Sequence, residues 1–201
     1  MTADIRAETL EVCGVRLEPL GENHREGLSA AADDPAIWSH MPFPATRPTF
    51  GAWFDWSLAV AGSGTEAVWA VRTSADGALV GSTRYLAIDA LHRRVEVGHT
   101  WYAPRVWGGV VNPACKLALL RYAFDDLALN RVELKTDVRN ARSQAAMTKM
   151  GAIQEGVFRA HMVRPDGSLR DSVYFAVTRD DWPRVREGLQ ARLAPFSKDD
   201  F

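Results

Sequence analysis

The sequence predicts an α/β fold, in which helices pack over a mixed β-sheet. Strands and helices alternate along the second half of the chain, and this order implies some parallel pairing. One helical segment, residues 113–129, is apolar nearly all round, which predicts a helix buried against the sheet. The 201 residues contain neither a repeat nor a linker, and a chain of this length suits one domain.

In the first half, the alternation of apolar and polar residues and the positions of turn residues predict the elements. Residues 22–32 have helical spacing, and Thr49 is placed to cap a second helix that ends at residues 62–64. The predicted strands cover residues 15–20, 67–73, 79–88 and 93–102, with a hairpin turn at residues 74–77. Residues 1–10 and the tail after Pro195 are expected to be loose ends.

The strand at residues 93–102 matters most for the site, because alternate residues of a strand point to opposite faces. On one face we expect Val95, Val97, His99 and Trp101, and on the other Arg94, Glu96, Gly98, Thr100 and Tyr102, unless a bulge changes the parity.

Capping residues mark the helices of the second half. Asn112 is expected as the N-cap and Pro113 as the first residue of the buried helix, which runs to about Leu129. Asn140 is expected to cap a short helix that ends at Gly151. The remaining predictions are strands at residues 132–138, 153–162 and 172–178, a hairpin turn at 164–167, and a last amphipathic helix at 182–193.

The composition argues against several classes of protein. The net charge is -1 and the arginines are scattered, so no nucleic-acid partner is expected. Cys13 and Cys115 are the two cysteines, too few for a disulfide framework. No segment approaches the roughly 18 apolar residues of a membrane span, and the N-terminus lacks an apolar signal core. We therefore expect a soluble, cytoplasmic protein with no membrane partner.

Three features could carry chemistry. The glycine-bearing loop at residues 103–112 offers backbone N–H groups and a positive helix end to a pyrophosphate, or it is an ordinary strand-to-helix turn. It contains neither a Walker A sequence nor a GxGxxG motif. Asn140 and Ser143 directly follow a strand, where they either act on a ligand or only cap the helix. Residues 151–159 predict a strand with a bulge at its Glu-Gly pair.

In this order and spacing, the three features resemble the GNAT superfamily of acetyltransferases, and most closely its RimJ/RimL-like branch. The resemblance covers roughly residues 13–185, and the segments that carry it are VEVGHTWYAPRVWGGVVNPACKLALLRYAF, NRVELKTDVRNARSQAAMTKMGAIQEGVFR and DGSLRDSVYFAVTRDDW. It implies a mixed, mostly antiparallel sheet of about seven strands, flanked by helices, with a central parallel pair that splays apart. It also implies a single domain over residues 1–201, with its core at about 13–195.

The resemblance implies acetyl-CoA as co-substrate and no metal. The gap between the strands at 95–102 and 132–138 would admit the pantetheine arm, which pairs with backbone groups near Trp101 and Tyr102. Asn140 would hydrogen-bond the pantetheine, and Ser143 would donate a proton or a hydrogen bond to the departing thiolate. The pyrophosphate would lie on the loop formed by Trp107, Gly108, Gly109, Val110, Val111 and Asn112.

The implied reaction is direct attack of a neutral amine on the thioester, with a backbone N–H supporting the oxyanion. Because amines are mostly protonated at neutral pH, some group must accept a proton. Glu96 is the first candidate for this base, followed by His99 and His161. Glu96 is equally suited to a cross-strand ion pair, and both histidines fit ordinary strand positions. The arginines considered as partners in that ion pair are Arg93, Arg94 and Arg84.

Two departures from the family pattern leave alternatives open. With Trp107 aligned to the start of the family motif, Val110 stands where a central glycine is expected and Asn112 where Gly or Ala is. Either a phosphate approaches the backbone less closely, or Gly108 and Gly109 shift the register of the loop. Met162 stands about where some RimL-like members have an acidic residue. One alternative is therefore a binding or regulatory module with the GNAT fold, which binds CoA weakly or not at all and is catalytically weak or inactive. A more remote alternative is a nucleotide-binding α/β protein of another class.

The acceptor stays open among protein N-termini, polyamines, antibiotics and small amino compounds, and both a monomer and a homodimer fit. Residues 41–44 are expected to border the acceptor site. Several of the seven tryptophans lie in the N-terminal half, where they either line that site or, as favoured, pack in the core. These are Trp38, Trp53, Trp56 and Trp69.

Overall fold

The computed structural model describes residues 5–41, 43–164 and 166–196. The strands in this part of the chain are β1 (Leu10–Val12), β2 (Val15–Pro19), β3 (Ala67–Thr73), β4 (Leu79–Asp89), β5 (Arg94–Tyr102), β6 (Arg131–Asp137), β7 (Ile153–Val163) and β8 (Leu169–Thr178). The α-helices are α1 (Arg25–Ala31), α2 (Phe50–Gly62), α3 (Val111–Arg121), α4 (Ala141–Met150) and α5 (Trp182–Leu193). None of the described helices is long and apolar enough to cross a bilayer.

All the strands belong to one sheet, in the order β1-β2-β3-β4-β5-β6-β8-β7. Only β5 and β6 are parallel, and every other neighbouring pair is antiparallel. The predicted mixed sheet with a central parallel pair is confirmed, with eight strands rather than about seven. The additional strand is β1, which pairs with β2 across Cys13 and Gly14. Both turn residues have positive φ (49° and 69°), as a two-residue hairpin turn requires. The prediction that residues 1–10 are a loose end is therefore wrong from Ile5 onward, because Ile5 packs in the core and Leu10 belongs to β1.

The core lies on both faces of the sheet. On one face, α3 and α5 cover the alternate apolar residues of β5 and β6, among them Val95 and Val132. On the other face, α1 and α2 pack over a smaller aromatic cluster that contains Trp38, Trp53 and Trp101. Trp69 is fully buried in the first core, whereas Trp56 stays 38% exposed. Packing, rather than a tryptophan-lined pocket, therefore accounts for Trp53 and Trp69.

A bulge in β5 changes which side chains share a face. Ser82 is aligned with Trp101 and Arg84 with Gly98, so β5 has one residue more than β4 between these pairs. His99, at φ 45°, lies in this bulge. Beyond it the alternation is reversed: Trp101 packs on the α2 side, and Tyr102 on the α3 side. The prediction that Val95 and Trp101 share a face, made for an unbulged strand, is therefore wrong.

Helix α3 begins and ends earlier than predicted. Val110 occupies the N-cap position without a side-chain hydrogen bond, and the helix starts at Val111, so the assignment of Asn112 as cap is wrong. Pro113 is then the third helical residue, where its missing N–H breaks no intrahelical bond. After Arg121 the chain continues as a π-turn, Tyr122–Asp126, which ends the helical segment before the predicted Leu129.

Helix α4 follows the prediction at both ends. The Asn140 side chain accepts a hydrogen bond from the Ser143 N–H at 3.0 Å, which is N-cap geometry. Gly151 ends the helix in the left-handed region at φ 96°. The predicted bulge in β7 is present at Glu155, which has no aligned partner in β8. In the hairpin turn at 164–167, Pro165 lies outside the described residues, and the Gly167 N–H donates to the Arg164 carbonyl at 2.9 Å.

Candidate active site

The parallel strands β5 and β6 part soon after they begin. Their aligned pairs are Arg94 with Arg131, Val95 with Val132 and Glu96 with Glu133, and the pairing stops there. Beyond Glu96, β5 bends at its bulge, and β6 stays paired with β8 alone. The opening holds a cleft of about 510 Å³, which reaches from the parted strands to α3 and α4. We call it the main cleft.

Most of the predicted site residues line the main cleft. They are Glu96, Trp101, Tyr102, Trp107, Gly108, Gly109, Asn112, Asn140 and Ser143. Val110 and Val111 do not line it, because both side chains pack against the core under α3. The fold thus gathers strand, loop and helix-start residues that are far apart in the sequence.

Near the loop, one backbone N–H of β5 faces the main cleft. The Ala103 N–H donates to the Val80 carbonyl of β4, so strand alternation turns the backbone groups of Tyr102 away from β4. The Tyr102 carbonyl accepts a hydrogen bond from the indole N–H of Trp107 at 2.8 Å. At Tyr102, the N–H is therefore the group left for a ligand, whereas the Trp101 carbonyl points towards Gly81 in β4.

The start of α3 offers few donors to an anion. The Ala114 N–H already bonds to the Val110 carbonyl, and Pro113 has no N–H. Within the first turn this leaves the N–H groups of Val111 and Asn112, at the positive end of the helix dipole. From α4, the Arg142 guanidinium lies 3.9 Å from the centre of the Trp107 ring and adds a positive charge beside the loop.

The main cleft is strongly cationic although the chain has a net charge of -1. Glu96 is the one carboxylate among the described residues that line it. The cations in the same lining are Lys116, Lys135, Arg142, Lys149, Arg170 and Arg192. A cleft with this balance attracts and holds an anionic ligand.

Glu96 is buried at the point where the strands part. It is 4% exposed, and one of its carboxylate oxygens accepts a hydrogen bond from Lys135 Nζ at 2.6 Å. Burial raises the pKa of Glu96 above its ordinary value, against the opposing effect of the Lys135 charge.

The ion pair of Glu96 with an arginine, considered as an alternative to a catalytic role, does not form. Because Glu96 is aligned with Glu133, the next residue on the same face of β6 is Lys135, and this lysine takes the role. Of the arginines that we considered, Arg94 pairs instead with Asp89 and Glu133, and Arg84 pairs with Glu66.

The two candidate histidines differ in location. His99 lines the main cleft with its ring against Phe43 and Trp56, and burial lowers its pKa to about 3. His99 is therefore neutral at physiological pH. His161 lines no part of the main cleft: its ring nitrogens lie 3.0 Å from the Ser172 hydroxyl and 3.3 Å from the Tyr174 hydroxyl.

Ser143 combines a structural contact with an available hydroxyl. Its backbone N–H is used by the Asn140 cap, so the capping interpretation of this pair is correct. The Ser143 hydroxyl has no hydrogen-bond partner among the described residues, and it lies in the lining of the main cleft. Capping and a role towards a ligand are thus compatible in the same two residues.

Lys116 is a site residue that the sequence patterns did not single out. It lies in α3, is 9% exposed, and its ammonium donates one long hydrogen bond, of 3.4 Å, to the Thr100 hydroxyl. Burial lowers the pKa of Lys116 to about 8. Lys116 is the only charged residue between Val111 and Leu120, and that isolated charge in an apolar helix was the available signal.

A second cavity, of about 390 Å³, adjoins the main cleft, and we call it the side cavity. Its walls come from the segment between α1 and α2, from the end of β6 and from the β7–β8 hairpin. The two cavities share Ser39, His40, Met41, Met162 and Arg170. Met41 and Pro44 belong to the segment that we expected to border an acceptor, and Pro42 lies outside the described residues. In the described ranges, no group of three or more His, Cys, Asp or Glu side chains is placed to hold a metal.

A family model for the acetyltransferase (GNAT) domain matches residues 15–153. The chain belongs to the GNAT acetyltransferase family. It is thus an acyltransferase, as predicted, and the alternative of a nucleotide-binding protein of another class is set aside. The parted parallel strands are the feature of this GNAT chain on which its candidate site is built.

Relatives of known name agree with this assignment. YdaF of Bacillus subtilis (strain 168), named as a candidate ribosomal N-acetyltransferase, is 33% identical over 108 residues, and the match spans 53% of this chain and 57% of that protein. The FsC-acetyl coenzyme A-N(2)-transacetylase of Aspergillus fumigatus is 27% identical, over 94% of this chain and 83% of its own length.

Solved structures show the same fold. A GCN5-related N-acetyltransferase from Brucella melitensis has a TM-score of 0.88 and 29% identity, over 99% of this chain and 92% of its own. RimJ of Mycobacterium smegmatis, solved in complex with CoA-disulfide, has a TM-score of 0.78 and 22% identity, over 96% of this chain and 97% of its own. The name of YdaF is consistent with the predicted RimJ/RimL-like branch.

Proposed function

We propose that this GNAT enzyme transfers the acetyl group of acetyl-CoA to a primary amine by direct attack. The observation that carries the proposal is the cationic main cleft, which opens where β5 and β6 stop pairing. Its shape suits an extended arm, and its charge suits the phosphates of CoA. The RimJ neighbour was solved with a CoA derivative bound, which supports the same ligand class here.

In this proposal, different residues bind different parts of acetyl-CoA. The N–H groups of Val111 and Asn112 and the Arg142 guanidinium bind the phosphates, at the end of the main cleft that the loop forms. The Tyr102 N–H pairs with the pantetheine arm, as a neighbouring strand would. From α3, the Lys116 ammonium donates a hydrogen bond to a carbonyl oxygen of the arm. This oxygen is a better partner for the buried ammonium than the Thr100 hydroxyl, which lies 3.4 Å away.

The reaction follows from the groups at the other end. The amine nitrogen attacks the thioester carbonyl carbon, the C–S bond breaks, and the thiolate takes a proton through the Ser143 hydroxyl. Glu96 accepts the proton that the amine loses, directly or through one water. Its raised pKa brings this carboxylate closer to neutral pH, where a general base is more effective. His99, with its pKa lowered to about 3, is a weaker base than Glu96.

The proposal is tested by acetyl-CoA turnover across amine classes, with Ser143→Ala beside the wild type. Loss of the hydroxyl is expected to lower kcat about tenfold, because the thiolate leaves without a donor. Asn140→Ala is expected to weaken acetyl-CoA binding and to remove about 1 kcal/mol of α4 stability. Thr148→Ala, on the exposed side of the same helix, is the matched control. Full rates in both site variants would contradict these roles.

A CoA-binding module without catalysis is the second candidate. The observation that favours it is the small number of free backbone N–H groups at the start of α3. Pro113 has no N–H, and the side chain of Val110 keeps a phosphate farther from the backbone than a glycine would. Thermal unfolding with added acetyl-CoA separates the candidates. Stabilisation by acetyl-CoA, with no release of its thiol in the presence of any amine, supports the module, and no stabilisation at millimolar acetyl-CoA contradicts both candidates.

Glu96→Gln tests the base through the pH profile. Because burial raises the pKa of Glu96 above 4.5, kcat/KM of the wild type falls as the pH falls through this raised value. The glutamine variant cannot take the proton, so it is expected to lose at least about tenfold in kcat and to lack this acid limb. Glu133→Gln, aligned with Glu96 on β6, is the control. It keeps the acid limb but moves it to lower pH, because the charge of Glu133 contributes to the raised pKa of Glu96. An unchanged acid limb in Glu96→Gln would assign the base elsewhere.

A further inference from the structure

Arg170, on β8, is a buried cation without a partner. It is 7% exposed, and its guanidinium forms no hydrogen bond or ion pair with any residue in the described part of the chain. Its Nε atom is fully enclosed and unsatisfied. Burial lowers the pKa of Arg170, yet an arginine keeps its charge at physiological pH. A buried guanidinium in this state is costly unless a ligand supplies the acceptor oxygens.

The nearby carboxylates are already neutralised by other cations. Glu96 is held by Lys135 at 2.6 Å, and Asp137 is held by Arg164 at 2.8 Å. Both carboxylates act on Arg170 through space, but neither is within ion-pair distance of it. After these two pairs are formed, Arg170 is the surplus positive charge at this place. One anionic group of a ligand would therefore neutralise the remaining positive charge of Arg170.

Arg170 also lies at a distinctive position, because it lines both the main cleft and the side cavity. A molecule in the side cavity that reaches Arg170 therefore also reaches the wall of the main cleft, on the side of Glu96. Apolar surface from Trp38, Met41 and Met162 forms part of the same cavity. Its volume of about 390 Å³ suits a small molecule.

We propose that Arg170 binds the carboxylate of the acceptor, and that the acceptor is a small amino acid-like compound. This inference rests on the proposed acetyl transfer and narrows its acceptor class. Because Nε is enclosed, the two terminal nitrogens of the planar guanidinium present the parallel N–H groups that match a carboxylate in a bidentate pair. A carboxylate held there leaves the amine of the same molecule free to point into the main cleft, towards Glu96.

The test compares common L-amino acids with their carboxamides, which differ only in the charge that Arg170 would bind. In the wild type, the amino acid of a matched pair is expected to have the higher kcat/KM, measured by thiol release from acetyl-CoA. In Arg170→Met, the KM of the amino acid rises about tenfold to a hundredfold, and that of the carboxamide stays unchanged. Arg170→Lys recovers part of the difference. Arg159→Met, an exposed arginine of β7 that lines neither cavity, is the control.

Binding is measured on the same proteins by thermal unfolding with each amino acid and its carboxamide at millimolar concentration. Selective stabilisation of the wild type by the amino acid, lost in Arg170→Met, supports the inference whether or not thiol is released. The inference is overturned if the amino acid and its carboxamide stabilise the wild type equally. It is also overturned if the amino acid stabilises Arg170→Met as much as it stabilises the wild type. Absence of thiol release with every amine overturns the proposed transfer instead, so the two failures are distinguishable. Stabilisation of Arg170→Met by acetyl-CoA shows that the variant is folded.

Discussion

Replacing Gly81 by alanine is expected to lower the free energy of unfolding by about 3 kcal/mol or more. Gly81 in β4 is aligned with Tyr102 in β5, and an added Cβ would lie 2.1 Å from the Trp101 carbonyl oxygen. That oxygen belongs to the backbone, so no side-chain rotation relieves the clash, and β4 and β5 must move apart. Since Tyr102 forms the wall of the main cleft, stabilisation by acetyl-CoA is expected to fall as well.

The matched control for this prediction is Gly156→Ala in β7. A Cβ at Gly156 meets no heavy atom within 4 Å, so this variant should stay within about 0.5 kcal/mol of the wild type. Urea unfolding of the three proteins, followed by circular dichroism, measures both changes. Equal midpoints for the two alanine variants would show that β4 and β5 are not in close contact at Gly81.

Lys116→Met is expected to stabilise the ligand-free protein while weakening its binding of acetyl-CoA. In the unfolded chain the lysine has its ordinary pKa of 10.5, and burial lowers it to about 8 in the folded protein. Folding therefore disfavours the bound proton, and this cost of about 3 kcal/mol is complete below pH 8. Methionine fills a similar volume without the charge, so at pH 7 the free energy of unfolding should rise by about 2–3 kcal/mol.

The pH dependence gives the sign of this prediction a separate check. As the pH rises from about 8 to 10.5, the wild-type lysine loses its proton in both states and the penalty disappears, so the two proteins converge. Chemical unfolding at pH 7 and near pH 10 measures this convergence, and the exposed Lys149→Met is the control for stability alone, since Lys149 also lines the main cleft. In the presence of acetyl-CoA, the variant is expected to lose about tenfold in affinity. A variant that is less stable at pH 7 would contradict the assignment of Lys116 as an uncompensated charge.

Features with local causes were accessible from the sequence. The alternation around Val132 and Leu134 predicts β6 to within a residue at either end, because that strand is regular. The amide of Asn140 and the left-handed Gly151 bound α4 through contacts within the helix itself. The order of strands and helices was also sufficient to indicate a parallel pair, and the family resemblance indicated where it opens.

Features that depend on tertiary packing were not accessible. The bulge at His99 is defined by the alignment of β5 with β4, and no residue type in the segment marks it. The partner of Glu96 is Lys135 because β5 and β6 pair in parallel with Glu96 opposite Glu133, a register that no pattern reveals. Arg170 is an ordinary arginine in the sequence, and only the meeting of two cavities at its side chain distinguishes it.

The burial of both cysteine thiols argues against a covalent acetyl-cysteine intermediate. Burial raises the pKa of Cys115 to about 11, so this thiol keeps its proton at neutral pH, and Cys13 is buried in the β1–β2 turn. Neither thiol belongs to the lining of the main cleft. A double-displacement reaction through an acetyl-cysteine would need an exposed thiolate beside the thioester. The described part of the chain places no such thiolate in the main cleft, which supports the proposed direct attack of the amine on the thioester over a route through an acetyl-cysteine.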